Sequence, residues 1–444
     1  MSIDFSFKDF AYPVDILRFR SFLEKSQWFS QDLLERYEAE RLRMILSHAY
    51  KNVPYYRELF RSLDLTPSDF RSKKDLSRLP LLTKDILRKN FKQLTAENSK
   101  KFNPVLHKTS GTSGEPVEFY HDKFANILEF CYYWRYWSWA GYRLGMPFAE
   151  FTLHHFLNAG MSKISDRSAI SKRLCLNPTR LSYENIHLYV EQIKKGRSKF
   201  LKGSPSTIHM FAILVEKHGI RDLSFEAVFT TGELLLPHQR SKIAEIFGCK
   251  ILDSYGHMER TVAISQCPRG SYHINSEYGI LEVDKDEAMS LEQVTIGRVI
   301  GTSLHNFAMP LIRYLTEDVI EVDASHAKCG CGRTLPLCEK VIGRQQNIIT
   351  TPDGRYLTNV FILFEMLEGI LWAQIVQEDI KNIKVRIVKD VNFSISSQEG
   401  FLKHLSDITG KDMQIEVEYL DAEMLDILRS QKYKPVVSNI ICAG

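Results

Sequence analysis

The sequence predicts an α/β protein that ends in a small α+β unit. Strand-like and helix-like segments alternate between residues 148 and 255, which is the pattern of a sheet covered by helices. Short strands with turn residues between them follow over 279–325, and the character of the chain changes again after residue 343. A chain of 444 residues is long enough for two domains. We therefore expect a large domain over 1–343 and a small domain over 344–444.

Composition and charge exclude several classes of protein. Hydrophobic residues make up 44% of the chain and charged residues 25%, as in ordinary soluble globular proteins. The net charge of +4 is too small to indicate a nucleic acid or an anionic membrane as partner. The start of the chain lacks the regions of a signal peptide, and no apolar run approaches the roughly 18–20 residues of a membrane span. We expect a cytoplasmic protein.

The elements of the large domain follow from residue spacing. Apolar residues recur at helical intervals over 14–62, with a break at 52–54, and further helices are predicted around 83–87 and over 127–139. This gives a helical start over 1–100, an α/β core over 101–278 and a β-rich subdomain over 279–343. The core is predicted to contain strands over 148–153, 200–203, 227–230 and 250–255, and helices over 184–195, 208–218 and 239–247.

The β-rich subdomain and the small domain follow from alternation of apolar residues. Strands are predicted over 279–283, 297–302 and 318–322 in the subdomain. In the small domain, two strands over 384–388 and 413–418 flank a helix over 400–408.

A run of six residues combines four hydroxyls with two glycines: Thr109, Ser110, Gly111, Thr112, Ser113 and Gly114. Hydroxyls and glycine-exposed N–H groups are what a chain uses to wrap a polyphosphate. Taken alone, the run is equally compatible with a surface loop. It is not a nucleophile elbow, since the final glycine is missing, and the chain contains no P-loop signature. Residues 117–120 alternate like a strand, so the run is expected on a hairpin-like turn.

Two short motifs fall at the ends of predicted core strands. Gly232 and Glu233 follow the strand over 227–230, and Tyr255 and Gly256 end the strand over 250–255. Ligands of α/β sheets bind at the carboxyl ends of the strands. We therefore expect both motifs to line one ligand site.

Together with the hydroxyl run, these motifs resemble the adenylate-forming acyl-CoA synthetase superfamily. TSGTSGEP at 109–116 resembles its phosphate loop, and TGE at 231–233, YGHME at 255–259, YLTED at 314–318 and GR at 343–344 resemble its later core motifs, in order. YYR at 55–57, GSPS at 203–206, AMPLIRY at 308–314 and CGCGR at 329–333 are similar to the phenylacetate–CoA ligase branch, and closer still to its CapK-type proteins. The resemblance covers nearly the whole chain and implies a large adenylate-forming domain followed by a small mobile C-terminal domain.

The family implies a reaction in two steps. ATP and a carboxylic acid give an acyl-adenylate and pyrophosphate, and a thiol, by default CoA, or an amine then takes the acyl group. The hydroxyls of the phosphate loop would hold the β- and γ-phosphates, and Glu259 would help to hold Mg²⁺. Tyr255 would lie against the adenine, beside Gly232, Glu233 and Gly256. Asp318 would accept both ribose hydroxyls, and Arg344 would contact the ribose.

A lysine near the C-terminus completes the site that the resemblance implies. Lys432 is the better match because an aromatic residue follows it, and Lys434 is the alternative. The cation would neutralise charge as the acid approaches the α-phosphate. The family usually has glycine before this lysine, whereas this chain has Gln431. The segment 345–347, at the expected hinge, also lacks the usual acidic residues, so the second step is less secure than adenylation.

A separate group of residues has the composition of a structural zinc site. Cys267, His273, Cys329 and Cys331 offer four nitrogen and sulfur ligands from two turns, with Cys338 as a possible substitute. Some members of the branch carry such a zinc. Closed coordination would connect the β-rich subdomain to the core without a catalytic role.

Three functions remain open at this point. The first is activation of a carboxylic acid and its transfer to CoA. The second keeps adenylation but uses an amine acceptor in surface or capsular polysaccharide biosynthesis. The third is a nucleotide-binding scaffold without catalysis. Relatives often form homodimers, so pairing through the large domain is a further expectation.

Overall fold

The computed structural model of the chain describes residues 12–108, 117–152, 155–156, 162–167, 173–284, 289–291, 294–323, 328–344, 349–352, 356–357, 360, 363–364, 367, 369–424 and 436–440. Across these residues the strands form five sheets. The α/β fold class with a large and a smaller domain is confirmed. The division at residues 343 and 344 stays a prediction.

The N-terminal part is helical, as predicted. Ser30 caps the second helix by accepting a hydrogen bond from the N–H of Leu33. The expected break is present, because the second helix ends at Asn52 and Pro54 begins the third, where a proline N–H is not needed. The helices are α1 (Pro13–Ser26), α2 (Gln31–Asn52), α3 (Pro54–Ser62), α4 (Lys84–Lys89) and α5 (Phe91–Leu94), with 3₁₀ turns at Pro67–Asp69, Lys73–Arg78 and Ser99–Phe102.

A two-stranded hairpin and a long buried helix follow. Strand β1 (Val105–Lys108) pairs antiparallel with β2 (Glu118–His121), so residues 109–116 connect the strands of a hairpin, and they lie outside the described residues. Helix α6 (Lys123–Ser138) begins at Asp122, whose carboxylate accepts hydrogen bonds from the N–H groups of Phe124 and Ala125. Its aromatic residues from Phe130 onward are buried, in agreement with a core helix.

The core is a sheet of nine strands in the order β15-β10-β9-β8-β7-β6-β3-β5-β4. The five strands from β8 to β5 in this order run parallel, and α6 covers one face while three helices cover the other. The helices are α7 (Ile186–Lys195), α8 (Pro205–Lys217) and α9 (Pro237–Phe247). The strands are β3 (Phe148–Phe151), β4 (Ser165–Arg167), β5 (Arg173–Leu176), β6 (Phe200–Gly203), β7 (Ala227–Thr231), β8 (Lys250–Gly256), β9 (Ala263–Gln266), β10 (Tyr272–Ile274) and β15 (Leu337–Cys338), with a 3₁₀ turn at Pro178–Arg180.

The β-rich subdomain is confirmed as a sheet, with one strand assigned elsewhere. The sheet consists of β11 (Gly279–Val283), β12 (Met289–Leu291), β13 (Val294–Ser303), β14 (Tyr314–Asp323) and β16 (Lys340–Arg344). Within the range predicted for this subdomain, β15 instead joins the nine-stranded sheet by pairing with β10. The chain leaves the β-rich sheet after β14 and joins the nine-stranded sheet at β15. Two of the predicted zinc ligands lie just before β15.

Among the described residues, the main sheet of the small C-terminal unit contains two more strands than the sequence predicted. A sheet in the order β21-β20-β19-β22 packs against helix α10 (Ile395–Thr409). The strands are β19 (Ile370–Gln377), β20 (Asn382–Lys389), β21 (Gln414–Tyr419) and β22 (Val436–Ser438), with β17 (Ile349–Thr350), β18 (Tyr356–Leu357) and a 3₁₀ turn at Ala422–Met424 beside them. Leu236, from the large domain, lies in the same apolar cluster as Ile375 and Phe401. None of the described helices combines the length and apolar character that a bilayer crossing requires.

A buried ionic network fixes α6 between α1 and the core sheet. The guanidinium of Arg135 lies 2.6 Å from a carboxylate oxygen of Glu277 and also donates to the backbone oxygen of Leu23. Its other terminal nitrogen donates to Asn275. Both members of the ion pair are almost fully buried. Because an ion buried without its partner is costly, the network sets the position of α6 against α1 and the segment that follows β10.

Replacing Arg135 tests this role. Arg135→Met leaves Glu277 buried without its cation and should cost about 3–5 kcal/mol, visible as a lower thermal unfolding midpoint. Arg57→Met is the matched control, because it breaks an ion pair with Glu97 at the surface. Equal midpoints for the two variants would contradict the role assigned to Arg135.

Candidate active site

Two segments exchange tyrosine–carboxylate hydrogen bonds across the two large sheets. The hydroxyl of Tyr255, in β8, donates to Asp318 at 2.9 Å, and the hydroxyl of Tyr314, in β14, donates to Glu259 at 2.6 Å. In each segment the tyrosine precedes its acid by four residues. The exchange brings three of the predicted site residues, Tyr255, Glu259 and Asp318, to one place.

The carboxylate of Glu259 is buried and charged. Burial alone would raise its pKa, but the hydrogen bond and charge of His257 and the hydroxyl of Tyr314 outweigh burial and lower the pKa to about 2. The ring of His257 lies 3.1 Å from one carboxylate oxygen, and Tyr314 bonds the other. His257 is fixed in turn by Thr261, 3.0 Å from its second nitrogen. A carboxylate that stays ionised can bind a divalent cation through its remaining lone pairs, so Glu259 fits the ligand role expected of it.

The end of β7 lies beside this pair of segments. Register pairs Thr231 with Ser254, so Gly232 lies next to Tyr255 at the same edge of the sheet. Gly232 has φ of +86°, a conformation that favours glycine, and both Gly232 and Glu233 are exposed. Glu233 accepts a hydrogen bond of 3.2 Å from the backbone N–H of Ser206, which follows β6. Three parallel strands therefore contribute loops to one accessible edge.

The hairpin that carries the hydroxyl run is anchored near Glu259. Val117 and Phe119 lie in the same apolar cluster as Tyr314. Burial and the nearby charge of Arg260 lower the pKa of His121, in β2, well below its usual value. The two strands that flank residues 109–116 in the sequence therefore pack beside the segment 255–260.

The other predicted site residues are placed in part. Asp318 and Arg344 are directly opposite each other in the pairing of β14 with β16, although only the backbone of Arg344 is described. Gly256 is exposed at the end of β8. Outside the described residues lie Thr109, Ser110, Gly111, Thr112, Ser113, Gly114, Lys432 and Lys434.

The four predicted zinc ligands lie together. The ligand atoms of Cys267, His273, Cys329 and Cys331 are all within 4.8 Å of one another. The sulfurs of Cys267 and Cys329 are 3.7 Å apart, and the sulfur of Cys331 is 3.3 Å from Nε2 of His273. Tetrahedral zinc with zinc–sulfur bonds of about 2.3 Å would separate two sulfurs by about 3.8 Å. The group therefore fits a tetrahedral ion.

The surroundings of this cluster also suit a metal. Nδ1 of His273 lies 3.2 Å from the backbone oxygen of Leu335, which favours the tautomer whose Nε2 faces the cysteines. Cys338 does not belong to the group and instead donates to the backbone oxygens of Glu321 and Lys340. The loop after Cys331 contacts the N-terminal helices, since Thr334 donates to the backbone oxygen of Gln27. A metal here would connect the core sheet to the α1–α2 region.

Two residues of the site gained their role only from the structure. Tyr314 lies in the YLTED motif and His257 in the YGHME motif, yet no role was predicted for either. The four-residue spacing between tyrosine and acid, present in both motifs, was the available signal. The pairing itself depends on how two distant strands meet.

The hydroxyl of Tyr314 should control the acid stability of the site. The ionised Glu259 stabilises the folded chain above about pH 4.5, the usual pKa of this side chain. The contribution is lost as the pH falls towards 2, its pKa in the folded chain. Tyr314→Phe should cost about 1–3 kcal/mol at pH 7 and raise the pKa of Glu259. The difference in unfolding midpoint from the wild-type chain should narrow between about pH 4.5 and 2.

Thermal unfolding at several pH values checks this, with Tyr183→Phe as a control at an exposed tyrosine. Identical midpoints for both variants at every pH would show that the Tyr314–Glu259 bond does not stabilise the site.

Comparison with known proteins supports the same family as the motifs. The family model for the CapK C-terminal domain matches residues 349–439. A phenylacetate–coenzyme A ligase from Thermus thermophilus is 23% identical over 427 residues, which cover 92% of this chain and 91% of that protein. Protein CapK from Staphylococcus aureus is 23% identical over 372 residues, covering 80% and 78%.

Solved structures show the fold. A 2-hydroxyisobutyryl-CoA ligase in the postadenylation state aligns with a TM-score of 0.69 at 17% identity, covering 93% of this chain and 91% of that one. The same ligase in the thioesterification state aligns with a TM-score of 0.58. The matches to these relatives confirm the resemblance that the motifs indicated, to the phenylacetate–CoA ligase and CapK branch of the adenylate-forming superfamily.

Proposed function

We propose that the chain uses ATP to activate a carboxylic acid as its acyl-adenylate, releases pyrophosphate, and transfers the acyl group to CoA. The observation that carries the proposal is the reciprocal contact of Tyr255 with Asp318 and of Tyr314 with Glu259. It gathers the adenine, metal and ribose motifs at one edge of a parallel sheet, where ligands of such sheets bind.

Each residue has a defined task in adenylation. Asp318, held by Tyr255, accepts hydrogen bonds from the ribose, and the exposed edge at Gly232, Glu233 and Gly256 faces the base. Glu259 stays ionised and supplies a carboxylate oxygen to Mg²⁺. A Mg²⁺ ion held there would offset the charge of the phosphates. The hydroxyls and N–H groups of residues 109–114 receive the β- and γ-phosphates as the pyrophosphate leaves.

The acceptor has a second candidate. The match of the small domain to the CapK C-terminal domain, and the resemblance to protein CapK over most of the chain, favour an amine acceptor in polysaccharide biosynthesis. Lys432, from the small domain, would neutralise charge at the α-phosphate in either case. A cytoplasmic location and a homodimer remain predictions from the sequence.

Exchange of labelled pyrophosphate into ATP, dependent on an added carboxylic acid, tests the activity and the lysine. The wild-type chain should catalyse exchange, and Lys432→Ala should reduce it about 100-fold, as when one donor to a developing charge is removed. Lys434→Ala is the matched control two residues away and should retain exchange. A reversed result would transfer the role to Lys434, and absence of exchange with every acid tested would favour a non-catalytic scaffold.

Product analysis then separates the acceptors. Acyl-CoA formed in the presence of CoA supports the main proposal, whereas an amide formed only with an amino sugar supports the alternative.

A structural zinc ion bound by Cys267, His273, Cys329 and Cys331 is part of the proposal. The interatomic distances and the orientation of His273 support it. Metal analysis of protein purified and washed with chelator should find about one zinc per chain. Cys329→Ser should lose the metal and lower the unfolding midpoint, while Cys249→Ser, outside the cluster, should keep both. A wild-type chain without bound metal would refute the site.

A further inference from the structure

The nine-stranded sheet changes character along one row of residues. Residues paired across strands project from the same face. This face packs against α6, because Phe229 of the row lies in the α6 core cluster. The pairing registers place six residues in the row, from β8 to β4: Leu252, Phe229, Lys202, Glu150, Cys175 and Asp166. The row is apolar on β8 and β7, the strands that carry the nucleotide motifs, and it is charged on β6, β3 and β4.

The charged part of the row forms a network with Arg173. Nζ of Lys202 lies 2.8 Å from one carboxylate oxygen of Glu150, and Nε of Arg173 lies 2.8 Å from the other. Lys202 also lies 5.2 Å from the ring centroid of Tyr133, in α6. Apolar side chains could fill such positions at a lower desolvation cost, so packing alone does not call for these charges. The face of the sheet that packs against α6 is therefore polar at this end.

A partly exposed pair of side chains, His155 and Asp166, lies at the end of the charged row. His155 follows the carboxyl end of β3, and its Nε2 lies 2.8 Å from Oδ2 of Asp166. The two side chains are 22% and 35% exposed, whereas those of Lys202 and Glu150 are buried. Strand β3 has β5 on one side and β6 on the other, so the direction of the connections reverses here. Crevices at such a reversal are where α/β sheets bind ligands.

The position of the His155–Asp166 pair indicates which part of the substrate acid it would contact. Gly232 and Tyr255 place the nucleotide at the ends of β7 and β8, as the proposed function requires. The acid joins the α-phosphate, and the neighbouring ends of β6 and β3 are next along the same edge. The part of the acid beyond its carboxylate then faces the His155–Asp166 pair.

We infer that the acid activated by this chain carries a hydroxyl group that contacts His155 and Asp166, an inference that rests on the proposed adenylation. A hydroxyl group can donate a hydrogen bond, and this pair offers acceptors for it: the Nε2–H of His155 donates to Asp166, so Nδ1 of the imidazole and the lone pairs of the carboxylate are acceptors. An aryl or alkyl group in the same place would remove water from these polar groups without replacing their hydrogen bonds. Asp166 acts as a positioning residue for the imidazole.

Acid-dependent pyrophosphate exchange with matched pairs of acids tests the inference. Suitable pairs are butanoate with 3-hydroxybutanoate and phenylacetate with 4-hydroxyphenylacetate. In at least one pair the wild-type chain should favour the hydroxylated member in kcat/KM by about tenfold or more, as expected when a site pairs with a substrate hydroxyl. His155→Leu should reduce this ratio to about one while retaining exchange with the other member.

Two further variants separate recognition from folding. His155→Gln keeps a hydrogen-bonding side chain and should retain part of the ratio, and His187→Leu, at an exposed histidine of α7, should leave it unchanged. A wild-type preference for the non-hydroxylated member of both pairs overturns the inference, as does a ratio that His155→Leu leaves unchanged. Either result leaves the proposed adenylation intact, because exchange itself is still observed. Absence of exchange with every acid would overturn both.

Discussion

The candidate site depends on two hydrogen bonds that cross from one sheet to another. Tyr255 of the core sheet holds Asp318 of the β-rich sheet, and Tyr314 of the β-rich sheet holds Glu259 beside the core sheet. Each segment supplies one donor and one acceptor, so neither segment can move without breaking both contacts. Since a buried carboxylate is costly unless it is hydrogen-bonded, the contacts with His257 and Tyr314 keep Glu259 ionised, and the bond from Tyr255 positions Asp318. The separate ribose and metal roles that we propose for Asp318 and Glu259 rest on this geometry.

Much of the fold could be predicted from local pattern. The core helices and the parallel strands β3, β6, β7 and β8 were predicted within a few residues, because strand alternation and helical spacing are strong there, whereas the other strands of the nine-stranded sheet were not predicted. Helix α8 was predicted to begin at residue 208 but begins at Pro205, where proline at the first helical position was a usable signal. Strands β19 and β22 were missed. They form a parallel pair between distant segments, and such pairing depends on contacts that spacing does not encode.

The site was predicted at the level of motifs and not of contacts. Ordered motifs indicated Tyr255, Glu259 and Asp318 together, and the group of Cys267, His273, Cys329 and Cys331 was predicted from residue type. The partners of these groups were not predicted, since Tyr314 reaches Glu259 only through the meeting of two sheets. The Lys202–Glu150 pair was likewise invisible, because two charges within separate strands become neighbours only through register. Propensity and periodicity describe single elements, whereas these contacts arise from tertiary packing.

A crystal structure of the chain with a non-hydrolysable ATP analogue tests the central claim most directly. We expect the adenine beside Tyr255, the ribose hydroxyls on the carboxylate of Asp318, and the β- and γ-phosphates against residues 109–114. A nucleotide bound elsewhere, or a ribose that makes no contact with Asp318, would contradict it.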